Sequence, residues 1–148
     1  MFEVADTGGG KSISLTERDT DGGNPVSVNI ATSDALGNNF SLPRIVVSND
    51  SSALVTYTLT DGAGFTKILG RIYDANTNTL GSEITLINLT GGNSDAEAAV
   101  LSDGNYVIAA VTAGSGTSLA LGISIRIVSP TGSNVLAGTL IASTVDGI

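Results

Sequence analysis

The sequence predicts an all-β fold assembled from similar four-stranded antiparallel units, and three observations carry that expectation. First, the stretch from Ser41 to Asn88 lies over that from Ser94 to Ser143, at an offset that grows from 53 residues (Val47 against Val100) to 55 (Arg71 against Arg126). A period in this range marks supersecondary units that bury one another's apolar faces. Second, Gly, Ser, Thr and Asn stand where charge normally would: charged residues make up 14% of the chain, against a typical ~25%. Third, no window shows a sustained 3.6-residue period behind an N-cap, whereas short apolar or alternating runs recur between turn formers.

The elements follow in order. Strands are expected near Ser12 to Thr16 and Pro25 to Thr32, where apolar residues alternate with polar ones. Leu42 to Ser48 and Ala53 to Thr60 flank the turn signal Asn49-Asp50-Ser51-Ser52, and Thr66 to Tyr73 follows Asp61-Gly62-Ala63-Gly64. Leu80 to Asn88 is expected as one strand ending before Gly91-Gly92-Asn93. Asp95-Ala96-Glu97-Ala98-Ala99-Val100-Leu101 has good helix propensity, but its counterpart Leu42-Pro43-Arg44-Ile45-Val46-Val47 is β-branched with an internal Pro. Both are therefore expected as strands, the second over Ala96 to Leu101. Tyr106 to Thr112, Leu119 to Val128 and Asn134 to Ala142 complete the set.

Within each full unit the strand patterns differ. The first two strands are nearly continuous apolar runs, such as Val107-Ile108-Ala109-Ala110-Val111, as expected for strands covered on both faces. The last two alternate, as in Ile123-Ser124-Ile125-Arg126-Ile127. Two buried strands followed by two half-buried ones is the inside-to-outside order of a propeller blade. A partial unit precedes these, because Asp19-Thr20-Asp21-Gly22-Gly23-Asn24 sits 55 residues ahead of Asp74-Ala75-Asn76-Thr77-Asn78-Thr79. The expectation is one domain, 1–148, of about two and a half units: a half unit over 11–40, then 41–93 and 94–148. The alternative architecture is a β-sandwich. Known propellers close with about 4 to 8 blades. The chain is thus expected to belong to a longer protein, to complete its half unit from another copy, or to pack as a sandwich.

Gly70-Arg71-Ile72-Tyr73-Asp74-Ala75-Asn76-Thr77-Asn78-Thr79-Leu80-Gly81-Ser82-Glu83-Ile84, with the later Leu101-Ser102-Asp103-Gly104-Asn105-Tyr106-Val107-Ile108, resembles a known repeat. It is similar to the blade-like β repeats of large secreted bacterial proteins that accompany hemolysin-type calcium-binding regions. The resemblance covers roughly residues 41–143. The second copy keeps Arg126 and the hairpin, while Tyr57 and Ala110 stand where the repeat has a Trp. The resemblance implies an extracellular or cell-surface setting.

Composition excludes several functions. The net charge is −8 and only 6 Lys and Arg are spread over the chain, so neither nucleic acid nor an anionic membrane surface is an expected partner. No apolar run is long enough to span a bilayer as a helix. With no Cys and no His, disulfides, thiolate chemistry, Cys-based metal sites and His-dependent hydrolase mechanisms are all absent. The first forty residues carry Glu3, Asp6, Glu17, Asp19, Asp21 and Asp34 against Lys11 and Arg18, which makes that segment the place to look for a cation.

Two turns have oxygen-rich spacing. Asp74-x-Asn76-x-Asn78 matches the start of a calcium loop and Asp19-x-Asp21-Gly22-x-Asn24 is a looser version, although Thr85 stands where an EF-hand needs its bidentate acid. Two readings are open for these residues: calcium ligands, or hairpin turns in which Asp and Asn bond their own backbone. Gly8-Gly9-Gly10-Lys11-Ser12 ends like a phosphate-binding loop, but its first Gly position is Ala5 and no helix is expected after it. A glycine linker before a strand is the simpler expectation.

No catalytic constellation emerges. The expectation is a non-enzymatic structural or adhesive module of an extracellular or cell-surface protein, self-associating as a homo-oligomer through open β edges. The alternative is a carbohydrate- or calcium-dependent ligand-binding module.

Overall fold

The computed structural model describes residues 1–7, 11–18, 21, 23–33, 37–48, 51–89, 95–113 and 121–143. Twelve antiparallel strands form three sheets, and no helix occurs among the described residues. The first sheet pairs β1 (Phe2–Thr7), β2 (Ser12–Glu17) and β3 (Val26–Thr32) in that order. The second contains β4 (Asn39–Val47), β5 (Ser52–Thr60), β6 (Thr66–Asp74), the two-residue β7 (Thr79–Leu80) and β8 (Ile84–Leu89), with both β7 and β8 on β6. The third is a meander of β9 (Ala96–Val100), β10 (Tyr106–Ala113), β11 (Leu121–Val128) and β12 (Asn134–Ser143).

Three local features depart from the sequence expectation. A strand forms over Phe2–Thr7, where none was expected, and pairs with β2 from Phe2 opposite Glu17 to Thr7 opposite Ser12. The single strand expected over Leu80 to Asn88 is two, because the chain leaves the ladder at Gly81–Glu83 while the Gly81 amide donates to the Ile72 carbonyl. β4 begins three residues early and runs past Pro43 by means of a bulge, with Leu42 at φ +51. The bulge lets a proline sit in a paired strand without breaking the ladder on either side.

The sheets stack. One core cluster joins the first and second sheets through Ile13, Leu15 and Ile30 on one side and Val55, Tyr57, Leu69 and Tyr73 on the other. A second joins the second and third through Leu54, Ile68, Ile72 and Leu86 against Tyr106, Ile108, Ala110 and Val128. Alternate residues of β5 thus feed different clusters, and Ser52 to Thr58 are all buried. Burying a Leu or Ile side chain stabilises by roughly 1.5–3 kcal/mol, so β5 is the strand with most at stake in the fold. Polar side chains tie the layers at defined points. The Ser52 and Tyr106 hydroxyls lie 2.6 Å apart between the second and third sheets. The Tyr73 hydroxyl lies 3.0 Å from Glu17 Oε2 of the first sheet and 2.8 Å from Asn78 Oδ1.

Candidate functional site: the uncovered face of the third sheet

A strand shows its two faces to different neighbours, so register decides what each residue meets. In β10, Tyr106, Ile108 and Ala110 point to the second sheet and are buried there. Val107, Ala109 and Val111 point the other way, opposite Ile127, Ile125 and Ile123 of β11, and Leu136 of β12 lies opposite Ile127. This outer face is aliphatic along β10 and β11, with Glu97 of β9 opposite Ala109 and Thr139 of β12 opposite Ile125 at its margins, and no described element covers it: Val111 is 48% exposed, Ile123 41% and Leu136 40%. A shallow groove of about 240 Å³ runs over Ala109, Val111 and Ile123 to Asp95 and Glu97.

The two acids at its rim are engaged within the molecule. The Arg44 guanidinium of β4 pairs with the Asp95 carboxylate, and its Nε lies 3.7 Å from Glu97 Oε1. Exposed pairs of this kind contribute at most about 1 kcal/mol, and the single guanidinium offsets one of the two carboxylate charges at the rim.

The expected apolar pattern and the observed cover therefore agree on β5 and part on β10. Both strands read as continuous apolar runs, and among the described residues β5 is enclosed on both faces while β10 is enclosed on one. The opposite end of the stack differs again. The outer face of the first sheet carries Ser14 and Thr16 from β2 against Asn29 and Ser27 from β3, with the Thr16 and Ser27 hydroxyls 3.1 Å apart.

The oxygen-rich turns serve the backbone. Asp74 Oδ1 accepts the Asn76 amide at 2.8 Å, Asn78 sits at φ +53, and the Asn78 side-chain oxygen accepts from Tyr73. Asp21 Oδ1 accepts the Gly23 amide at 3.0 Å, and Asn24 adopts φ +42; Asp19 lies outside the described residues. Among the described residues no three acidic side chains converge on one point. Lys11 and Ser12 lead into strand β2, not into the helix a phosphate loop requires, and Gly8–Gly10 lie outside the described residues.

Two tyrosines meet carboxylates, Tyr57 within the second sheet and Tyr73 across to the first. Burial first, then the hydrogen bond to Glu83, pushes the Tyr57 phenol far above its ordinary value, with its hydroxyl donating to Glu83 Oε2 at 2.8 Å. Burial and then Glu17 push Tyr73 up to about 12. Both phenols stay protonated donors across the physiological range. Nothing in the periodicity singled them out, since a Tyr inside an apolar run reads as core.

No protein-family model matches the chain, and no curated protein is similar to it.

Proposed function

We propose that the chain is a non-enzymatic structural module of blade-like β units from an extracellular or cell-surface protein, and that it self-associates by apposing the outer faces of two third sheets. The observation that carries this reading is the aliphatic face of Val107, Ala109, Val111, Ile123, Ile125 and Ile127, which has no described element against it. Where the same molecule presents such faces elsewhere, another antiparallel sheet lies on them.

A second copy is the occupant that the chemistry favours. Head-to-tail stacking would set aliphatic side chains on the hydroxyls and amide of Ser14, Thr16, Ser27 and Asn29, leaving polar groups desolvated without partners. Face-to-face apposition sets aliphatic on aliphatic, and Arg44 offsets one of the two acidic charges at the rim. The face is favoured over the exposed strand edge, because β12 carries three register shifts against β11 and bulged edges pair poorly. Adjacency of β1 to β4 and of β4 to β9 supports the blade-like arrangement, in which first strands line a common axis.

Sedimentation equilibrium tests the reading. The parent chain is expected to show a concentration-dependent dimer, and Val111→Asp, which leaves the buried face of β10 untouched, to be monomeric. A parent that remains monomeric at millimolar concentration, or a Val111→Asp dimer as tight as the parent's, overturns it.

A further inference from the structure

Each gap between successive sheets holds an arginine at a matching repeat position. Arg71 on β6 lies opposite Val55 of β5, and Arg126 on β11 lies opposite Ile108 of β10. Val55 belongs to the core between the first and second sheets and Ile108 to the core between the second and third, so both arginines project toward the preceding sheet. Each leaves a buried Nε with no hydrogen-bond acceptor.

The pairing registers match position by position around these arginines. Tyr57 lies opposite Leu69 as Ala110 lies opposite Ser124, and Gly70 lies opposite Ile84 as Ile125 lies opposite Thr139. Ala110 therefore holds the place of Tyr57, Ser124 that of Leu69, and Gly138 that of Glu83. Beside Arg71, Tyr57 donates to the Glu83 carboxylate, and the Arg71 charge acts on that same phenol. Beside Arg126 both the phenol and the carboxylate are gone while the guanidinium remains.

In their place is a cleft of about 250 Å³ lined by Thr85, Leu86, Ile87, Asn88, Ser124, Arg126 and Gly138. The lining residues include no acid. Among the described residues, the one hydrogen bond of Arg126 is from Nη1 to the Leu86 carbonyl, at a long 3.4 Å. A partly buried guanidinium without a counter-charge is a receptor for a planar oxyanion, which it engages through two parallel N–H donors. The Ser124 hydroxyl lies on the same strand face as Arg126, opposite Ala110, and the β8 segment from Thr85 to Asn88 forms the other wall, so polar groups accompany the guanidinium.

We infer that this cleft between the second and third sheets binds a small hydroxylated carboxylate of the sugar-acid class, whose carboxylate takes the place beside Arg126 that Glu83 has near Arg71. The site lies on the opposite face of the third sheet from the self-association surface and does not depend on it.

D-glucuronate, titrated into the full chain and followed by the amide NMR signals of Thr85, Asn88 and Ser124, is the probe. Saturable shifts with a millimolar Kd are expected, with neutral D-glucose at least ~10-fold weaker, the loss expected for one charge-assisted contact. Arg126→Gln is expected to weaken glucuronate by a similar factor. Ser124→Leu, which installs the residue found at the matching position 69, is expected to fill the cleft and abolish the shifts while melting like the parent. The inference is overturned by absence of shifts at tens of millimolar glucuronate, by an unchanged affinity in either variant, or by sulfate binding the same residues as tightly.

Discussion

The outer faces of the first and third sheets end the same stack with opposite chemistry. On the first sheet, Ser14, Thr16, Ser27 and Asn29 meet solvent, and Ile13 and Leu15 are saved for the inside. On the third, Val107, Ala109 and Val111 face outward while Tyr106, Ile108 and Ala110 fill the inside. The alternating strand is finished once one neighbour is in place, whereas the continuous apolar strand specifies two neighbours and has one among the described residues. β5 shows the completed case, with Leu54 against the third sheet and Val55 against the first.

The largest expected effect sets an enclosed residue against an uncovered one. Leu54→Ala, at 0% exposure, is expected to lose about 3 kcal/mol in urea unfolding, through lost transfer energy and the cavity left behind. Val111→Ala, measured on the monomer, is expected to lose under about 1 kcal/mol. Equal losses would mean that the outer face of β10 is covered in solution.

Gly70→Ala comes next. A Cβ there would lie 2.7 Å from Leu86 Cδ1 and 3.2 Å from Leu54 Cδ1, so two core side chains must move. A loss of about 1–3 kcal/mol is expected from overpacking the gap between the second and third sheets. A neutral outcome would show that this gap is looser than the gap around Tyr57 and Tyr73.

Tyr73→Phe removes the hydroxyl that ties Glu17 of the first sheet to Asn78, and about 1–2 kcal/mol is expected to go with it. The same variant has a pH signature. The folded phenol titrates at about 12 against 10.0 for a free one, so its contribution is complete below pH 10 and is lost as the pH climbs toward 12. Denaturation midpoints taken across that window should fall less steeply in the Phe variant, and parallel slopes would contradict the assignment.

Asp74→Ala is the smallest. It removes the acceptor for the Asn76 amide in an exposed turn, and about 0.5 kcal/mol is expected. If the turn residues act only on their own backbone, millimolar calcium leaves the melting temperature of parent and variant alike unchanged. A rise confined to the parent would identify Asp74 as a metal ligand.

Much of the strand layout was legible because turn chemistry and period are local. The hairpin after Val47 and the alternation in β11 are written in adjacent residues. β1 was not, since Phe2-Glu3-Val4-Ala5-Asp6-Thr7 is short and mixed, and its inward Phe2 acquires meaning only edge-on to Tyr73 of another sheet, 6.3 Å between ring centroids. The run Leu80 to Asn88 hid a break because Gly81 bonds back to Ile72, a contact that spans a turn. The candidate face was half legible. The apolar run Val107 to Val111 announces two covered faces, but which of them lacks a neighbour depends on the order of the sheets, and that is a property of the stack rather than of any one strand. The arginine cleft was present in the alignment as Glu83 against Gly138. It acquires chemical meaning only when register places both beside an arginine in the gap between sheets.

The hydroxyl-bearing face of the first sheet also bears on how large an assembly can become. A particle with two adhesive ends adds copies without limit and yields filaments of every length. A particle with one adhesive end, paired face to face, buries that end and turns the polar faces of Ser14 and Thr16 outward on both sides. On the proposed pairing growth would terminate at two, and a uniform particle size would follow from a handful of serines and threonines far from the contact itself.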